Sequence, residues 1–336
     1  MRKLFITGES GMLATSIINA LKGNKTFEVL DNTDLAEYTN DFSYLNGKLV
    51  KPKEVDVTDT EVLELVGKRL TENDIIIHTA AYVNTDKCDD FSYEAVNSNI
   101  LSTQYLINLA NKVGCKMIYF STTAVFDPDE YMKNNGRFNE GAAIDPKTLY
   151  GLSKYSGELA VKQAMEFDRI MVMKPVFIYG DAPFDNSSMI RKILEKIYCD
   201  QKNIPYTLSP LNEDGTLDVL LDPSIDKDYM RYEYFGEMFV KLLEAQWGWG
   251  ADFIISKDDP VPFSQYLHCI QELTDAAYTS HVNIIPEGDY LKRHNGVSRN
   301  FYKLCDDYKL PQAAYDNQLG IEKTWNSIVK HYENKS

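Results

Sequence analysis

Positive charge is scarce in this sequence. Lys and Arg number 35 against 50 Asp and Glu, a net charge of −15. That balance argues against a general binder of nucleic acid or of anionic membranes, and an anionic substrate would need a local basic patch. Cysteine is sparse as well: five residues, scattered, odd in number, with no C-x-x-C pair. This excludes a disulfide scaffold, offers no zinc site, and reads as a reduced cytoplasmic protein. No run of about 18 apolar residues occurs, so no transmembrane helix is expected. The N-terminus leads straight into a strand pattern, so no signal peptide is expected. Internal repeats and low-complexity segments are absent too.

What is present begins at residue 3. Residues 3–6 read as a buried strand, residues 7–11 (Thr-Gly-Glu-Ser-Gly) as a tight turn, and residues 12–21 as a helix with apolar spacing at Leu13, Ile17, Ile18 and Leu21. A strand turning through glycines into a helix directs backbone N–H groups and the positive end of the helix dipole at one point, which suits a pyrophosphate. Gly8 permits the turn, Gly11 lets the phosphate approach, and Ala14 stands where a third glycine would let helix lie close on strand. Asp31 ends the next apolar run, residues 27–30, where a carboxylate would accept hydrogen bonds from an adenosine ribose.

The first half alternates strand and helix, predicting a doubly wound parallel sheet of α/β class. Strands are expected at 53–57, 74–79, 116–120 and 169–177. Helices are expected at 59–70, with Thr58 or Asp59 as cap, at 93–113, stopped by Gly114, and at 149–167. Residues 32–53 and 127–147 read as polar loops. In the second half, helices are expected at 188–198, 232–245, 263–273, 299–306 and 321–332, strands at 251–255 and 282–286, and a loop at 200–227.

The chemistry centres on Tyr150-Gly-Leu-Ser-Lys154. Residues four apart at a helix start share one face. An ammonium beside a phenol favours phenolate, so the tyrosine can exchange a proton with a sugar hydroxyl or carbonyl. Thr122, at the end of the strand 116–120, offers a hydroxyl to the same oxygen. His78, mid-strand, reads as a satisfied core residue, and no second ligand stands at metal-site spacing. Arg191 and Lys192 read as half-solvated helix residues, and 86–90 as a solvated acidic turn.

These residues together resemble the extended short-chain dehydrogenase/reductases of the nucleotide-sugar class. The Thr-Gly-x-x-Gly-x-Leu turn, Asp56-Val57, His78-Thr-Ala-Ala81, Asn99, Ser121-Thr122 and Tyr150 with Lys154 occur in that family's order. Ala80–Lys87 and Ser121–Phe126 are most similar to dTDP-4-dehydrorhamnose reductases, which reduce a 4-keto group on a nucleotide-linked deoxysugar. The resemblance implies a Rossmann-like NAD-binding domain over residues 1–177 and a smaller mixed α/β substrate-binding lobe over 178–336, with some interleaving. It implies a bound NAD, with NADP less favoured because Asp31 would repel a 2′-phosphate. Gly8, Gly11, Met12 and Leu13 would line the pyrophosphate, Asp31 the adenosine ribose, and Asp56 with Val57 the adenine. Ala80, Ala81 and Asn99 would flank the cofactor, and Tyr150 and Lys154 would meet its nicotinamide ribose. Thr122 and Tyr150 would hold the reacting sugar oxygen, with Thr123, Lys227 and Arg231 on the substrate side. The catalytic set is Thr122, Tyr150 and Lys154, the substrate a nucleotide-diphosphate sugar, and the assembly a homodimer paired through residues 93–113 and 149–167.

Two departures refine this. Family dehydratases carry Asp-Glu after the threonine, and rhamnose-type reductases Asp-Tyr; here Thr123 and Ala124 offer no acid. The family's Arg-Asp-Tyr becomes Lys227-Asp-Tyr229, a charge without a bidentate fork, with Arg231 nearby to compensate. Reduction and 4-epimerisation use the same groups, so both stay open. A non-catalytic subunit of this fold is the third reading, disfavoured because Tyr150 and Lys154 are both kept.

Overall fold

Six short segments, each with an apolar run, build the central sheet in the computed structural model, which describes residues 1–31, 43–45, 48–50, 56–83, 92–127, 137–138, 141–181, 188–220, 223, 226–246, 248–256, 261–285, 295–296 and 317–334. The strands are β1 (Arg2–Thr7), β2 (Phe27–Val29), β3 (Ile75–His78), β4 (Lys116–Phe120), β5 (Ile170–Pro175) and β6 (Ala251–Ile255), in spatial order β6-β5-β4-β3-β1-β2. The pairs from β2 through β5 are parallel, which requires crossovers and covers both faces. Hence the runs are apolar throughout rather than alternating: Leu4 to Ile6, Ile75 to Ile77 and Met117 to Phe120 are all buried. The strand order reverses between β1 and β3, where open α/β sheets place their ligands.

Several helices serve this sheet. α1 (Met12–Ala20) follows the glycine turn. α2 (Thr60–Gly67) is capped by Asp59, whose side chain accepts from the N–H groups of Glu61 and Val62. α3 (Ser102–Val113) stops at Gly114, left-handed at φ +85°. α4 (Leu149–Ala164) starts at Thr148, whose hydroxyl accepts from the Gly151 N–H. Val62, Val66, Leu106, Ile107, Ala110 and Val161 pack on Phe5, Ile76, Met117 and Val172 to form one continuous core.

The chain divides into two compact units. The first comprises Met1–Val125, Ile144–Lys174 and Phe239–Phe253; the second comprises Phe126–Ala143, Pro175–Met238 and Ile254–Ser336. The second unit has its own core, in which Ile190, Leu194, Tyr229, Phe263, Tyr266 and Ile321 cluster. Its helices include α5 (Met189–Lys202), α7 (Phe263–Thr274) and α8 (Asn317–Glu333); α6 (Tyr232–Ala245) precedes α7 in the chain.

Several sequence expectations need correction. Residues 32–53, read as loop, contain an antiparallel pair, Ser43–Leu45 with Lys48–Val50. Residues 200–227, also read as loop, contain Leu217–Leu220, a strand parallel to Val282–Ile285. Both are short strands whose stability comes from pairing, which composition does not record. The helix expected at 149–167 ends at Ala164, because Met165 is extended. The helix expected at 93–113 begins as Ser92–Val96 and passes through a π-turn, Asn97–Leu101, before α3. Arg191 is fully buried, not half-solvated: its Nη1 donates to Ser327 Oγ at 3.2 Å, and its Nε lies 3.4 Å from Glu195. Of the strand expected at 53–57, Asp56 and Val57 lie in the turn before α2 and the rest falls outside the described residues, as do the helix at 299–306 and the turn at 86–90.

Candidate active site

The glycine turn after β1 meets the loop after β3. Gly8 adopts φ +68°, and a Cβ there would stand 2.8 Å from Ala80 Cα and 2.9 Å from its nitrogen. Only glycine satisfies both the left-handed backbone and the close approach. The Gly11 N–H donates to Gly8 O at 2.9 Å, which closes the turn. The residue before α1, Gly11, has no side chain with which to cap it, and Met12 and Leu13 open the helix directly after the turn. Ala14 is fully buried, as close helix–sheet packing requires. This glycine-shaped helix start fits a dinucleotide pyrophosphate. Asp31 is exposed, and its backbone carbonyl accepts from Arg69 Nη1 at 3.1 Å. Asp56 Oδ1 accepts from Thr58 N and Oγ1, and Val57 packs its side chain in the core.

Around β3 and β4 a buried polar row runs across the sheet. Thr7, His78 and Tyr119 are register partners. His78 Nδ1 lies 2.9 Å from Thr7 Oγ1 and Nε2 lies 3.0 Å from Thr103 Oγ1. Burial, with the nearby Lys154 charge, holds its pKa well below the ordinary imidazole value, so His78 is neutral, and it is a satisfied core residue as the sequence predicted. Among the described residues, no group of three or more His, Cys, Asp or Glu is arranged to hold a metal ion.

Asn99, at the centre of the π-turn, is fully buried. Its side-chain oxygen accepts from Tyr82 N at 2.7 Å; its amide donates to Tyr82 O at 3.1 Å and to Ser153 Oγ at 2.9 Å. Asn99 therefore fastens the loop that begins with Ala80 and Ala81 to α4, and its amide is committed to protein partners.

α4 is seated against the end of β4 in two notches. A Cβ on Gly151 would stand 2.4 Å from Ala124 O, in the turn directly after Thr122 and Thr123. A Cβ on Gly157 would stand 2.3 Å from the Tyr119 hydroxyl. The first notch brings the helix start that carries Tyr150 onto the turn that follows Thr122. Thr122 Oγ1 accepts from Ala124 N at 3.2 Å, and Ser153 Oγ donates to Tyr150 O at 2.8 Å. Lys154 is 2% exposed, with Nζ 4.4 Å from the centre of the Tyr119 ring, and the Tyr119 hydroxyl donates to Lys154 O at 2.9 Å. Burial pulls the Lys154 pKa down to about 7, while the charge of Glu158 acts to raise it. Burial drives the Tyr119 pKa well above its ordinary value, so this phenol stays protonated.

The family model of the RmlD substrate binding domain matches residues 1–202. The chain belongs to the RmlD substrate binding domain family. A dTDP-4-dehydrorhamnose reductase from Aggregatibacter actinomycetemcomitans is 30% identical to this family member over 158 residues, which are 47% of the chain and 46% of the relative. The chain thus spans about half the length of the curated relatives it matches. Among solved structures, RMD from Pseudomonas aeruginosa complexed with NADPH superposes with a TM-score of 0.70 at 14% identity, covering 98% of this chain and 100% of that one. UDP-glucuronic acid 4-epimerase from Bacillus cereus in complex with UDP-glucuronic acid and NAD superposes with a TM-score of 0.73 at 17% identity, again covering 98% and 100%. At such identities the structural likeness is one of fold.

In the second unit of this RmlD-family chain, Lys227 is buried with Nζ 5.8 Å from the centre of the Phe177 ring. Arg231 Nε and Nη1 are buried without a hydrogen-bond partner among the described residues. Buried guanidinium donors left open are costly, and an anion would satisfy them. Sequence reasoning named Lys227 and Arg231 but gave no role to Tyr119, Ser121, Gly151, Gly157 and Glu158, which hold α4 in place.

Proposed function

We propose that this protein is a nicotinamide-dependent oxidoreductase that reduces the 4-keto group of a nucleotide-diphosphate sugar. The observation that carries the proposal is the seating of α4: the helix start bearing Tyr150 lies on the turn after Thr122, with Lys154 buried one turn further on. When bound, the nicotinamide dinucleotide supplies a hydride to C4. Tyr150 donates its phenolic proton to the 4-oxygen, Thr122 hydrogen-bonds that oxygen, and the Lys154 charge favours the phenolate left behind. Gly8, Gly11, Met12 and Leu13 hold the pyrophosphate, Asp31 the adenosine ribose, and Asp56 with Val57 the adenine. Ala80 and Ala81 flank the cofactor, and Asn99 acts on it through Tyr82. Arg231, with Lys227, takes the substrate diphosphate in the second unit, which we assign as the substrate lobe; Thr123 stands on the substrate side of Thr122. With Thr123 and Ala124 after Thr122, no acid is offered there for dehydration, which favours reduction.

Incubation with NADH and a 4-keto nucleotide-sugar tests this. The expected result is loss of NADH absorbance matching product one for one. Interconversion of 4-hydroxy nucleotide-sugars without NADH loss would make the protein a 4-epimerase with tightly held NAD, and no turnover with either kind of sugar would leave a binding subunit.

Asp31 favours NAD(H) over NADP(H), because a carboxylate repels a 2′-phosphate. Fluorescence titration is expected to show tighter NADH than NADPH binding, with the gap narrowed in Asp31→Ala. Equal affinities for the wild type would refute the assignment.

We further propose a cytoplasmic homodimer. Cys115, Cys199 and Cys269 are free thiols, and no described helix is long and apolar enough to cross a membrane. Tyr93, Val96 and Leu101 before α3, and Leu152 and Leu159 on α4, are exposed apolar side chains that a second copy would cover. Light scattering at micromolar concentration is expected to give twice the 38.4 kDa chain mass; a monomer would count against this face.

A further inference from the structure

One helical turn beyond Lys154, on the same face of α4, stands Glu158, 1% exposed. A buried carboxylate must be paired and hydrogen-bonded. Its Oε1 meets Lys162 Nζ at 2.5 Å and Lys174 Nζ at 3.1 Å. Lys162 also meets Asp252 Oδ2 at 2.6 Å, and Lys174 is bonded to Asp252 Oδ1. Two lysines and two carboxylates thus close a ring with no net charge. Burial alone would raise the Asp252 pKa, but Lys174 and Lys162 outweigh it and hold the carboxyl below its ordinary value.

The other oxygen of Glu158 faces away from the ring. Oε2 accepts from Ser121 Oγ at 2.9 Å, and Ser121 directly precedes Thr122. This bond ties the helix of Tyr150 and Lys154 to the strand end of Thr122. Among the described residues, the groups that act on Lys154 are Tyr119 from β4, His78 from β3 and Glu158 from its own helix, and Tyr150 acts on Tyr119. His78 is neutral and Tyr119 protonated, so among the described residues Glu158 is the carboxylate that offsets the buried ammonium.

We propose that Glu158 is a positioning residue for the proposed reduction: its charge keeps Lys154 an ammonium, and its bond to Ser121 fixes the strand end that carries Thr122. The inference rests on the reading of Tyr150 and Lys154 as the active pair.

The test follows the Lys154 side-chain resonance in protein labelled with 13C-lysine, assigned by its loss in Lys154→Met. Glu158→Gln keeps an acceptor for Ser121, and Asp252 still partners Lys174, so charge is the main change. Removal of an opposite charge at this range is expected to lower the proton affinity of Lys154 about tenfold or more. The alkaline limb of kcat/KM for 4-keto-sugar reduction is expected to move to lower pH by the same factor. Ser121→Ala, which breaks the tie and keeps the charge, should lower kcat with the limb unmoved. Asp252→Asn should destabilise the fold and leave the Lys154 titration where it was. If Glu158→Gln does not fold, Glu158→Gln with Lys174→Met leaves Lys162 and Asp252 as a neutral pair and is expected to show a Lys154 shift in the same direction, smaller because a positive charge leaves with the negative one. An identical Lys154 titration in wild type and in the folded variant would overturn the proposal. A shifted titration in a protein that reduces no 4-keto sugar would support the pairing and overturn the active-site reading instead.

Discussion

Tyr150→Phe is expected to reduce 4-keto-sugar turnover by about 10²–10⁴-fold, the usual worth of a positioned acid–base group. The substitution removes the phenolic oxygen, and with it the transferable proton, and keeps the ring. The Thr148 cap on Gly151, the Ser153 bond to the Tyr150 carbonyl and both glycine notches do not involve the phenolic oxygen. Folding and NADH affinity should therefore be unchanged, and the loss should fall on kcat. Thr122→Ala should lose less, because Tyr150 still protonates the product. Steady-state kinetics with a confirmed substrate, alongside urea unfolding, separates the effects. Near wild-type turnover by Tyr150→Phe would show that the chemistry lies elsewhere.

The second large effect is expected from Gly8→Ala. Two penalties coincide there. An L-residue in the left-handed region costs about 1–2 kcal/mol, and a methyl wedged against backbone costs a further 1–3 kcal/mol or so. The atom it meets is Ala80 Cα at 2.8 Å, backbone fixed by β3 and by the Thr7 hydroxyl, which accepts from Ala80 N at 3.2 Å. Neither side can yield without opening the turn. A fall in stability of about 2–5 kcal/mol is expected, with NADH affinity down more than about tenfold because the pyrophosphate cradle is the part displaced. Gly23 provides the control. It has φ +79° with nothing within 4 Å of a Cβ, so Gly23→Ala should cost the backbone term alone and spare the cofactor. Wild-type NADH affinity in Gly8→Ala would mean that the turn does not hold the dinucleotide.

The parts of this molecule legible in its sequence are those written in contiguous residues. The strand–turn–helix of residues 3–21 could be read because burial on both faces demands an unbroken apolar run and the turn demands glycine. That His78 is a satisfied core residue followed from its place inside such a run. What could not be read depends on partners far along the chain. Glu158 and Lys174 lie 16 residues apart, Lys174 and Asp252 lie 78 apart, and each alone looks like an ordinary surface charge. Gly151 and Gly157 look like weak helix formers until Ala124 and Tyr119 are seen against them. The guanidinium of Arg69 reaches Asp31 across 38 residues. Arg191 misled because an arginine on a helix is usually solvated, and its partner Ser327 lies 136 residues away.

The π-turn at Asn97–Leu101 has a consequence for how tolerant this region is to change in length. A π-turn amounts to one residue more than the α-helix needs. With it, Asn99 swings inward to Tyr82 and Ser153, while Tyr93 and Leu101 remain outside. Deleting a single residue between 97 and 101 would restore an uninterrupted α-helix and rotate everything before it by about 100° relative to α3. No side chain would have to change for the tie to Tyr82 and the outward apolar face to be lost together. The chain length of this segment, as much as its composition, encodes both features, and substitutions there should be tolerated far better than a one-residue deletion.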